Sequence, residues 1–292
     1  MNQRNEAGRT EYSVSILVFT QLIALGSVAA GFLGSLTGLG GGVVLVPLLV
    51  LVFGVDLRYA MGASLVSVIA TSSGAAAAYV KEGYSNIRLG MFLEIATTVG
   101  ALSGAYAGAL ISPSALAVIF GVILLASAYL SSRARSEEDA ARQPPDWLAS
   151  KLRLDGAYPT PDGPRSYHVH KVPLGFGIMY VAGVLSGLLG IGSGAFKVLA
   201  MDQAMRVPFK VSTTTSNFMI GVTAAASAGV FLGRGYIDPG LAMPVMLGVL
   251  LGSFLGTRVL VAARVSMLRM VFGAVILVLG VEMIYKGLTG AL

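Results

Sequence analysis

The sequence has no cysteine and few charged residues, and both deficits narrow its class. Without cysteine, the chain cannot form disulfides or hold a metal or haem through thiolates. Charged residues make up 12% of the 292 residues, about half of the roughly 25% found in soluble domains. Hydrophobic residues reach 55%, glycine occurs 38 times, and the mean hydropathy is +0.79. This composition excludes a soluble enzyme, a DNA-binding domain and a secreted disulfide scaffold, and it indicates a multi-pass membrane protein.

Long stretches without charge support this class. Residues 12–55 and 95–132 contain no Asp, Glu, Lys or Arg, and each stretch is long enough for two passes of about 20 residues. The net charge of +6 fits Lys and Arg in loops that orient a membrane protein better than it fits a nucleic-acid partner. The apolar run 13–36 is longer than the roughly 7–15 residues of a signal peptide core, so we interpret it as mature structure.

The first half of the chain recurs in the second at a constant offset of 152 residues. Residues 31–106 align without a gap with residues 183–258, so that "GSLTGLGGGVVLVP" lies over "SGLLGIGSGAFKVL" and each "GY" pair over the other. Paired repeats with glycine-interrupted segments are the sequence pattern of secondary transporters.

The repeat predicts an all-α membrane protein with five helical segments in each half. The predicted segments are residues 13–37, 43–54, 60–80, 89–110 and 115–131, then 173–189, 195–206, 211–232, 240–262 and 267–286. We divide the chain into a first membrane repeat (1–131), a polar, solvated loop containing both histidines (132–172) and a second membrane repeat (173–292). The segments 43–54 and 195–206 are too short to cross the bilayer as straight spans.

The number of crossings decides the orientation. If all ten segments cross, the two repeats are inverted, and the basic residues place the 132–172 loop in the cytoplasm and both termini outside. If the two short segments are re-entrant, eight cross and the charge bias nearly vanishes. We favour ten crossings, with the glycine-broken helices meeting at the centre.

The two glycine-rich motifs are the most specific features of the sequence. Their residues are Gly38, Gly40, Gly41 and Gly42 in the first half and Gly190, Gly192, Ser193 and Gly194 in the second. A glycine-rich break followed by a helix leaves unpaired N–H groups and a positive dipole end, which together suit an anion. The alternative is close helix packing, which also requires small residues. We expect a broken helix at the contiguous motifs, where Pro47 strengthens the first break. We expect packing at the glycines spaced three or four residues apart within helices, namely Gly31, Gly34, Gly100, Gly104, Gly252 and Gly256.

A run of small polar residues begins a predicted helix of the second half. Thr213, Thr214, Thr215, Ser216 and Asn217 lie in sequence there, and Ser64 occupies the place in the first half that matches Ser216. Their hydroxyl and amide donors suit oxyanions. Equally, they can cap the helix or bond to its carbonyls.

Lys197 is the sharpest single candidate, because it follows Gly194 by three residues inside an apolar region. It can neutralise an anion, reach toward the interface or pair with Asp202. Glu94 and Asp202 are candidates for coupling to protons, and their alternative is burial with a local partner.

The motif "GxGGGxxxxP", its degenerate second copy and the hydroxyl-rich segment resemble the TauE/SafE family of membrane anion exporters. The resemblance covers nearly all of the chain except its first dozen residues and the polar loop. It implies a permease for sulfite, sulfonates or other small organic anions, with its site on the two glycine motifs. The second copy departs from the pattern, since Ser193 replaces a glycine and Leu199 stands where proline is expected.

The function predicted from these features is export of a small sulfur-containing or organic anion across the cell membrane. An anion leaving a negative interior gains about 2.3 kcal/mol per charge per 100 mV, so export by uniport needs no coupled ion, and Glu94→Gln is then expected to matter little. The alternatives are an anion channel and proton-coupled uptake. A serine hydrolase at Ser193 lacks a membrane-embedded base, and we expect no enzyme activity, cofactor, metal or nucleic-acid partner. The oligomeric state is open.

Overall fold

The computed structural model describes residues 3–35, 41–81, 83–132, 146–160, 163–262 and 265–290. Within these ranges the chain forms helices and one hairpin, in the order α1 (Gln3–Ser35), α2 (Gly42–Leu51), α3 (Leu57–Lys81), α4 (Ile87–Gly108), α5 (Pro113–Ser132), α6 (Trp147–Lys151), β1 (Gly156–Thr160), β2 (Gly163–Tyr167), α7 (Val172–Leu189), α8 (Gly194–Leu199), α9 (Phe209–Gly233), α10 (Pro239–Ala262) and α11 (Val265–Thr289). A π-helical turn (Ala200–Ala204) continues α8.

The ten predicted segments correspond to α1–α5 and α7–α11. Among the described residues, five of these helices are long and apolar enough to cross a membrane: Ile16–Gly34 within α1, α4, α7, α9 and Pro239–Gly256 within α10. At about 1.5 Å per residue, the 10-residue α2 reaches only half of the roughly 30 Å hydrocarbon layer. The 6-residue α8 is shorter still.

Helix packing is reciprocal between the halves. Helix α1 packs against α10, and α7, which matches α1 in the repeat, packs against α4, which matches α10. Two further pairs join matching helices directly, α3 with α9 and α5 with α11. The two halves are therefore interlocked around one centre.

Glycines bring these helices together at matching positions. A Cβ on Gly183 would clash with the carbonyl of Thr97, and a Cβ on Gly31 with the carbonyl of Val249. Gly252 likewise sits against the carbonyl of Val28. Gly31 and Gly183, and Val249 and Thr97, are each 152 residues apart, so the same backbone approach occurs twice. The expectation that the helical glycines serve close packing is confirmed for these positions.

The "GY" turns form a second matched feature. Gly83 and Gly235 have φ of +76° and +74°, which only glycine adopts without strain. The ring of the tyrosine after each glycine makes a cation–π contact with a basic residue near the start of a helix in the other half, α9 for Tyr84 and α3 for Tyr236. The Lys210 Nζ lies 3.8 Å from the centre of the Tyr84 ring, and the Arg58 Cζ lies 5.5 Å from that of Tyr236.

The described part of the polar region, residues 146–160 and 163–171, is folded, whereas the sequence predicts a solvated loop over residues 132–172. These described residues include α6 and an antiparallel hairpin, in which Gly156 pairs with Tyr167. Leu154, Val169 and His170 are buried beneath it. Because of this hairpin, the described structure is not the purely α-helical one that the sequence predicts, although the described parts of the membrane repeats are helical. Apolar residues in this stretch pack on α4, α7 and α9, which explains why it folds rather than remaining in solvent.

Asn86 fastens this central segment (146–171) to the helices. Its side-chain oxygen accepts the N–H of Leu89 and caps α4. Its amide nitrogen donates to the carbonyl of Leu154 and to the Tyr167 hydroxyl, both at 2.8 Å. Its backbone N–H donates to the Thr215 Oγ1 of α9 at 3.0 Å. The matching residue is Asp238, whose carboxylate accepts the N–H of Gly240.

We expect Gly187→Ala to destabilise the protein and Gly177→Ala to do so little or not at all. Both residues lie on α7, but a Cβ on Gly187 would clash with the carbonyl of Ala101, whereas a Cβ on Gly177 meets nothing within 4 Å. Overpacking costs about 1–3 kcal/mol, while alanine gains up to about 1 kcal/mol over glycine in a helix. Unfolding of both variants in detergent measures the difference, and equal stability would contradict this packing.

We also expect Asn86→Asp to loosen the hairpin. Aspartate retains the cap but loses both amide donors and faces the Leu154 carbonyl, a cost of about 1–3 kcal/mol. Hydrogen–deuterium exchange of residues 156–167 should therefore become about tenfold faster or more. The control is Asp238→Asn, which changes the matching cap where these donors are not used. Unchanged exchange in Asn86→Asp would show that Asn86 is not the anchor.

Candidate functional site

The second glycine motif is a break between two helices. Helix α7 ends at Gly190 with φ +66°, Gly192 has φ +73°, and Ser193, with φ +48°, precedes α8. Three residues in the left-handed region cannot continue a helix, so the expected broken helix is confirmed here. Gly190 and Gly192 adopt this conformation without strain, but Ser193 does so at a cost of about 1–3 kcal/mol.

The first motif is described only from Gly41 onward, and Gly38 and Gly40 lie outside the described residues. Gly41 precedes the first turn of α2, and the N–H groups of Val44 and Leu45 donate to its carbonyl. Pro47 is buried inside α2 rather than at the break. Because the first N–H groups of a helix have no partner within it, the start of α2 presents donors toward the centre.

The two motifs meet beside α3. A Cβ on Gly42 would lie 2.7 Å from the Ser64 Oγ, 3.1 Å from Val68 and 3.4 Å from the Cα of Ile191, which belongs to the second motif. A Cβ on Gly192 would lie 3.0 Å from Val68 and 2.9 Å from Ile220 of α9. Val68 therefore touches both motifs, and glycine at positions 42 and 192 permits this approach.

The polar run of α9 does not form one cluster. Thr213 and Thr214 donate to carbonyls of their own helix, and Thr215 accepts the N–H of Asn86. The Ser216 Oγ donates to the carbonyl of Gly194 at 3.3 Å, as Ser64 contacts Gly42 in the first half. Asn217 is half-buried. Of the run, only Ser216 touches a glycine motif through a hydrogen bond shown here.

Two serines at the glycine motifs, Ser64 and Ser193, have buried hydroxyls without a hydrogen-bond partner among the described residues. Both residues are at most 2% exposed. A buried hydroxyl without a partner costs about 1–3 kcal/mol. Such groups at the junction of two motifs mark a place where a ligand can supply the missing acceptor.

Lys197 is fully buried and joined to Glu94. Its Nζ donates to the Thr223 Oγ1 and lies 3.8 Å from the Glu94 Oε2. The Thr223 hydroxyl donates in turn to the Glu94 Oε1 at 2.6 Å, and the Thr98 Oγ1 donates to the same oxygen at 3.1 Å. The chain Lys197–Thr223–Glu94 thus links α8, α9 and α4. The Glu94 Oε2 has no hydrogen-bond partner among the described residues.

Sequence reasoning singled out Lys197 and Glu94 separately but missed Thr223 and the pairing. Thr223 lies seven residues, or two turns, after Ser216 on α9, and this spacing was the available signal. Asp202, the other carboxylate that we considered, lies on the π-helical turn after α8.

The ion pair breaks the symmetry of the repeat. The residues that match Lys197 and Glu94 are Leu45 and Met246, both apolar, whereas Thr71 matches Thr223. Leu45 is fully buried in α2. Burying two charges costs several kcal/mol per ion unless their attraction offsets it. Proteins in which apolar residues replace a buried ion pair are often equally stable. The matching residues show that apolar side chains serve at these positions, so stability alone does not account for the charges.

The described residues supply neither a histidine base for Ser193 nor a metal site. His170 is buried in the central segment, where its backbone N–H donates to the carbonyl of Met205, and among the described residues no hydrogen bond joins it to Ser193. Among the described residues, no group of three His, Asp or Glu side chains could hold a metal ion.

Comparison with known proteins agrees with this architecture. Residues 23–283 match the model of the family described as sulfite exporter TauE/SafE. The chain is 28% identical over 280 residues to the probable membrane transporter protein YunE of Bacillus subtilis, covering 92% of this chain and 98% of YunE. It is 26% identical to a probable membrane transporter protein of Xylella fastidiosa, covering 88% and 91%. It is 25% identical to MJ0441 of Methanocaldococcus jannaschii, covering 92% and 96%. No solved structure matches the chain.

We expect Lys197→Leu and Glu94→Met each to lower stability, by about 3–5 kcal/mol, because each leaves one buried charge uncompensated. The double variant carries, at each position, the residue that stands at the matching position of the other repeat, Leu45 or Met246, and it should recover most of the loss. Unfolding of the two single variants and the double variant in detergent gives the coupling energy of the pair. Additive losses would show that the two charges do not depend on each other.

Proposed function

Because the chain belongs to the sulfite exporter TauE/SafE family, we propose that it exports small sulfur-containing or organic anions, such as sulfite and sulfonates, as a secondary transporter. The family, the relatives and the five apolar helices make the chain a multi-pass membrane transporter. The observation that supports an anionic substrate is the fully buried Lys197, which the matching position of the first repeat lacks.

The proposed binding site lies where the two glycine motifs meet. The starts of α2 and α8 offer N–H groups there, and Ser64 and Ser193 offer hydroxyls without other partners. The first-half residues Gly38, Gly40, Gly41 and Gly42 and the second-half residues Gly190, Gly192 and Gly194 would admit the anion close to the backbone. Neutral donors hold an oxyanion without locking it into an ion pair, which favours release.

Lys197 and Glu94 would set the charge of this site. With Glu94 as its counter-ion, the empty site is close to neutral, which makes burial of Lys197 tolerable. An arriving anion competes with Glu94 for the same ammonium group. Part of the attraction is thus offset by the loss of the ion pair, and the anion is bound weakly enough to leave on the far side.

We further propose that the two halves are inverted repeats. Reciprocal packing of α1 with α10 and of α7 with α4 is what a two-fold relation between the halves produces. Its axis would lie in the membrane plane, with the two broken segments at the repeat interface. The central segment then lies in the cytoplasm, on the side with the larger excess of basic residues.

Export follows from the membrane potential. An anion moving out of a negative interior gains about 2.3 kcal/mol per charge per 100 mV, so uniport suffices. The Glu94 carboxylate, whose Oε2 accepts no hydrogen bond from the described residues, gives the alternative of proton coupling a specific candidate. Because Glu94 pairs with Lys197, we propose that Glu94→Gln alters transport even under uniport. Without Glu94, the anion becomes the counter-ion of Lys197, so binding should tighten and release should slow.

The test is anion flux in liposomes with a potassium–valinomycin potential and the pH clamped on both sides. We expect saturable efflux of sulfite or an alkyl sulfonate that follows voltage. In Lys197→Leu/Glu94→Met we expect a loss of about tenfold or more, the equivalent of a charge-assisted hydrogen bond. The control, Leu45→Met/Met246→Leu, exchanges the matching apolar residues and should transport normally. Glu94→Gln should lower both the half-saturating concentration and the maximal rate.

Each other outcome has a definite meaning. Flux that does not saturate would identify a channel. Flux that ignores voltage but follows a pH gradient, and loses this response in Glu94→Gln, would replace uniport by proton coupling. Normal flux in Lys197→Leu/Glu94→Met would remove the ion pair from the transport site.

A further inference from the structure

A cleft of about 620 Å³ opens between the α3–α4 connection and the central segment. None of its lining residues belongs to the glycine motifs or to the Lys197 cluster. The lining residues are Tyr84, Ser85, Asn86, Ile87, Arg88, Met91, Arg153, Asp155, Gly156, Ala157 and Tyr167. The cleft is therefore separate from the proposed transport site and is shared between the helices and the central segment.

The cleft is basic. Arg88, on the first turn of α4, donates to the carbonyl of Arg153 at 3.1 Å, so the two arginines line the cleft as neighbours. Lys210 adds a third cation behind the ring of Tyr84. Asp155 is the acidic residue among the lining residues, and its oxygens are already engaged by the N–H of Val169 at 2.8 Å and the Nδ1 of His168 at 3.2 Å. The two guanidinium groups in the cleft can therefore bind an anion, because the oxygens of Asp155 already accept other hydrogen bonds.

Neutral donors accompany the arginines. The Ser85 Oγ is buried and has no partner among the described residues. Tyr167 is 8% exposed, and its hydroxyl accepts from the Asn86 side chain, which leaves its own proton for an acceptor in the cleft. Burial raises the pKa of Tyr167 to about 12, so the hydroxyl stays protonated at neutral pH. Guanidinium and hydroxyl donors around one space match the oxygens of a phosphate group.

One wall of the cleft is apolar and continues along α4. Ile87 and Met91 line the cleft, and Ile95 follows one turn later on the same face of a helix that can span a membrane. These side chains are 45%, 59% and 59% exposed in the isolated chain. A basic pocket at the end of an exposed apolar stripe fits a ligand with a charged head and a hydrocarbon tail better than it fits a fully soluble anion.

We propose that this cleft binds the headgroup of an anionic phospholipid. The phosphate lies between Arg88 and Arg153, within reach of the Tyr167 and Ser85 hydroxyls, and an acyl chain lies along Ile87, Met91 and Ile95. Since Arg88 belongs to α4 and Arg153 to the central segment, the lipid bridges the two and stabilises the docking of the segment. This inference does not depend on which anion is transported.

The test compares binding of the full-length protein in detergent micelles to dioleoylphosphatidylglycerol and dioleoylphosphatidylcholine. We expect preference for phosphatidylglycerol, and loss of about fivefold in affinity for each arginine removed in Arg88→Gln, Arg153→Gln and the double variant. The control Arg165→Gln/Lys286→Gln removes the same charge from residues outside the cleft lining and should keep the preference. Exchange of residues 156–167 should slow with phosphatidylglycerol in the unmodified protein and in this control.

A second arm uses inorganic phosphate and glycerol 3-phosphate, which supply the same head without the tail. If these bind as tightly as phosphatidylglycerol, the ligand is a soluble phosphate compound and the lipid assignment is overturned. If the double arginine variant keeps its preference for phosphatidylglycerol, or if both double variants lose it equally, the cleft is not the binding site. Unfolding of each variant without added lipid verifies that a lost preference does not come from a lost fold.

Discussion

Contact between the backbones of helices from opposite halves is the constraint on which the rest of this structure depends. Gly183 lies against Thr97 and Gly31 against Val249, so α7 with α4 and α1 with α10 approach more closely than any side chain would allow. In a membrane, where neighbouring lipid is as apolar as leucine, such packing rather than hydrophobicity holds helices together. Because the two contacts are reciprocal, each half packs against the other, and the short helices α2 and α8 each contact helices of both halves.

This enclosure is what makes broken helices tolerable. A helix that ends at Gly190 and restarts at Gly194 leaves carbonyl and N–H groups without partners, which lipid would penalise by several kcal/mol each. Here the break lies against α3 and α9, and Ser216 satisfies the carbonyl of Gly194. The same protection leaves Ser64 and Ser193 unsatisfied. A costly helix break beside two buried hydroxyls that have no hydrogen-bond partner among the described residues is typical of a site for a polar ligand.

The departure from symmetry is as informative as the symmetry. A duplicated chain supplies two equivalent surfaces at its centre, and both carry a threonine, Thr71 and Thr223. Only the surface with Thr223 has the Lys197–Glu94 pair, to which α8 of the second half and α4 of the first contribute one residue each. Asn86 and the matching Asp238 differ in a similar way, since the amide holds the central segment and the carboxylate caps a helix. At these two places, positions that match in the repeat make different polar contacts.

The sequence alone determined the membrane class, the internal repeat, the ten helical segments and the helix break at the second glycine motif, because hydropathy and glycine content act locally along the chain. It did not determine the partner of Lys197. Glu94 is about a hundred residues away in the chain, and Asp202 was nearer in sequence, but packing of α4 against α9 brings Glu94 to the ammonium group. It also predicted a solvated loop over residues 132–172, because the charged residues there are many and the apolar residues are few. Only the tertiary structure supplied the surface of α4, α7 and α9 on which Leu154 and Val169 are buried. Burial and long-range pairing depend on which surfaces meet, and that is settled by packing between helices that are distant in the sequence.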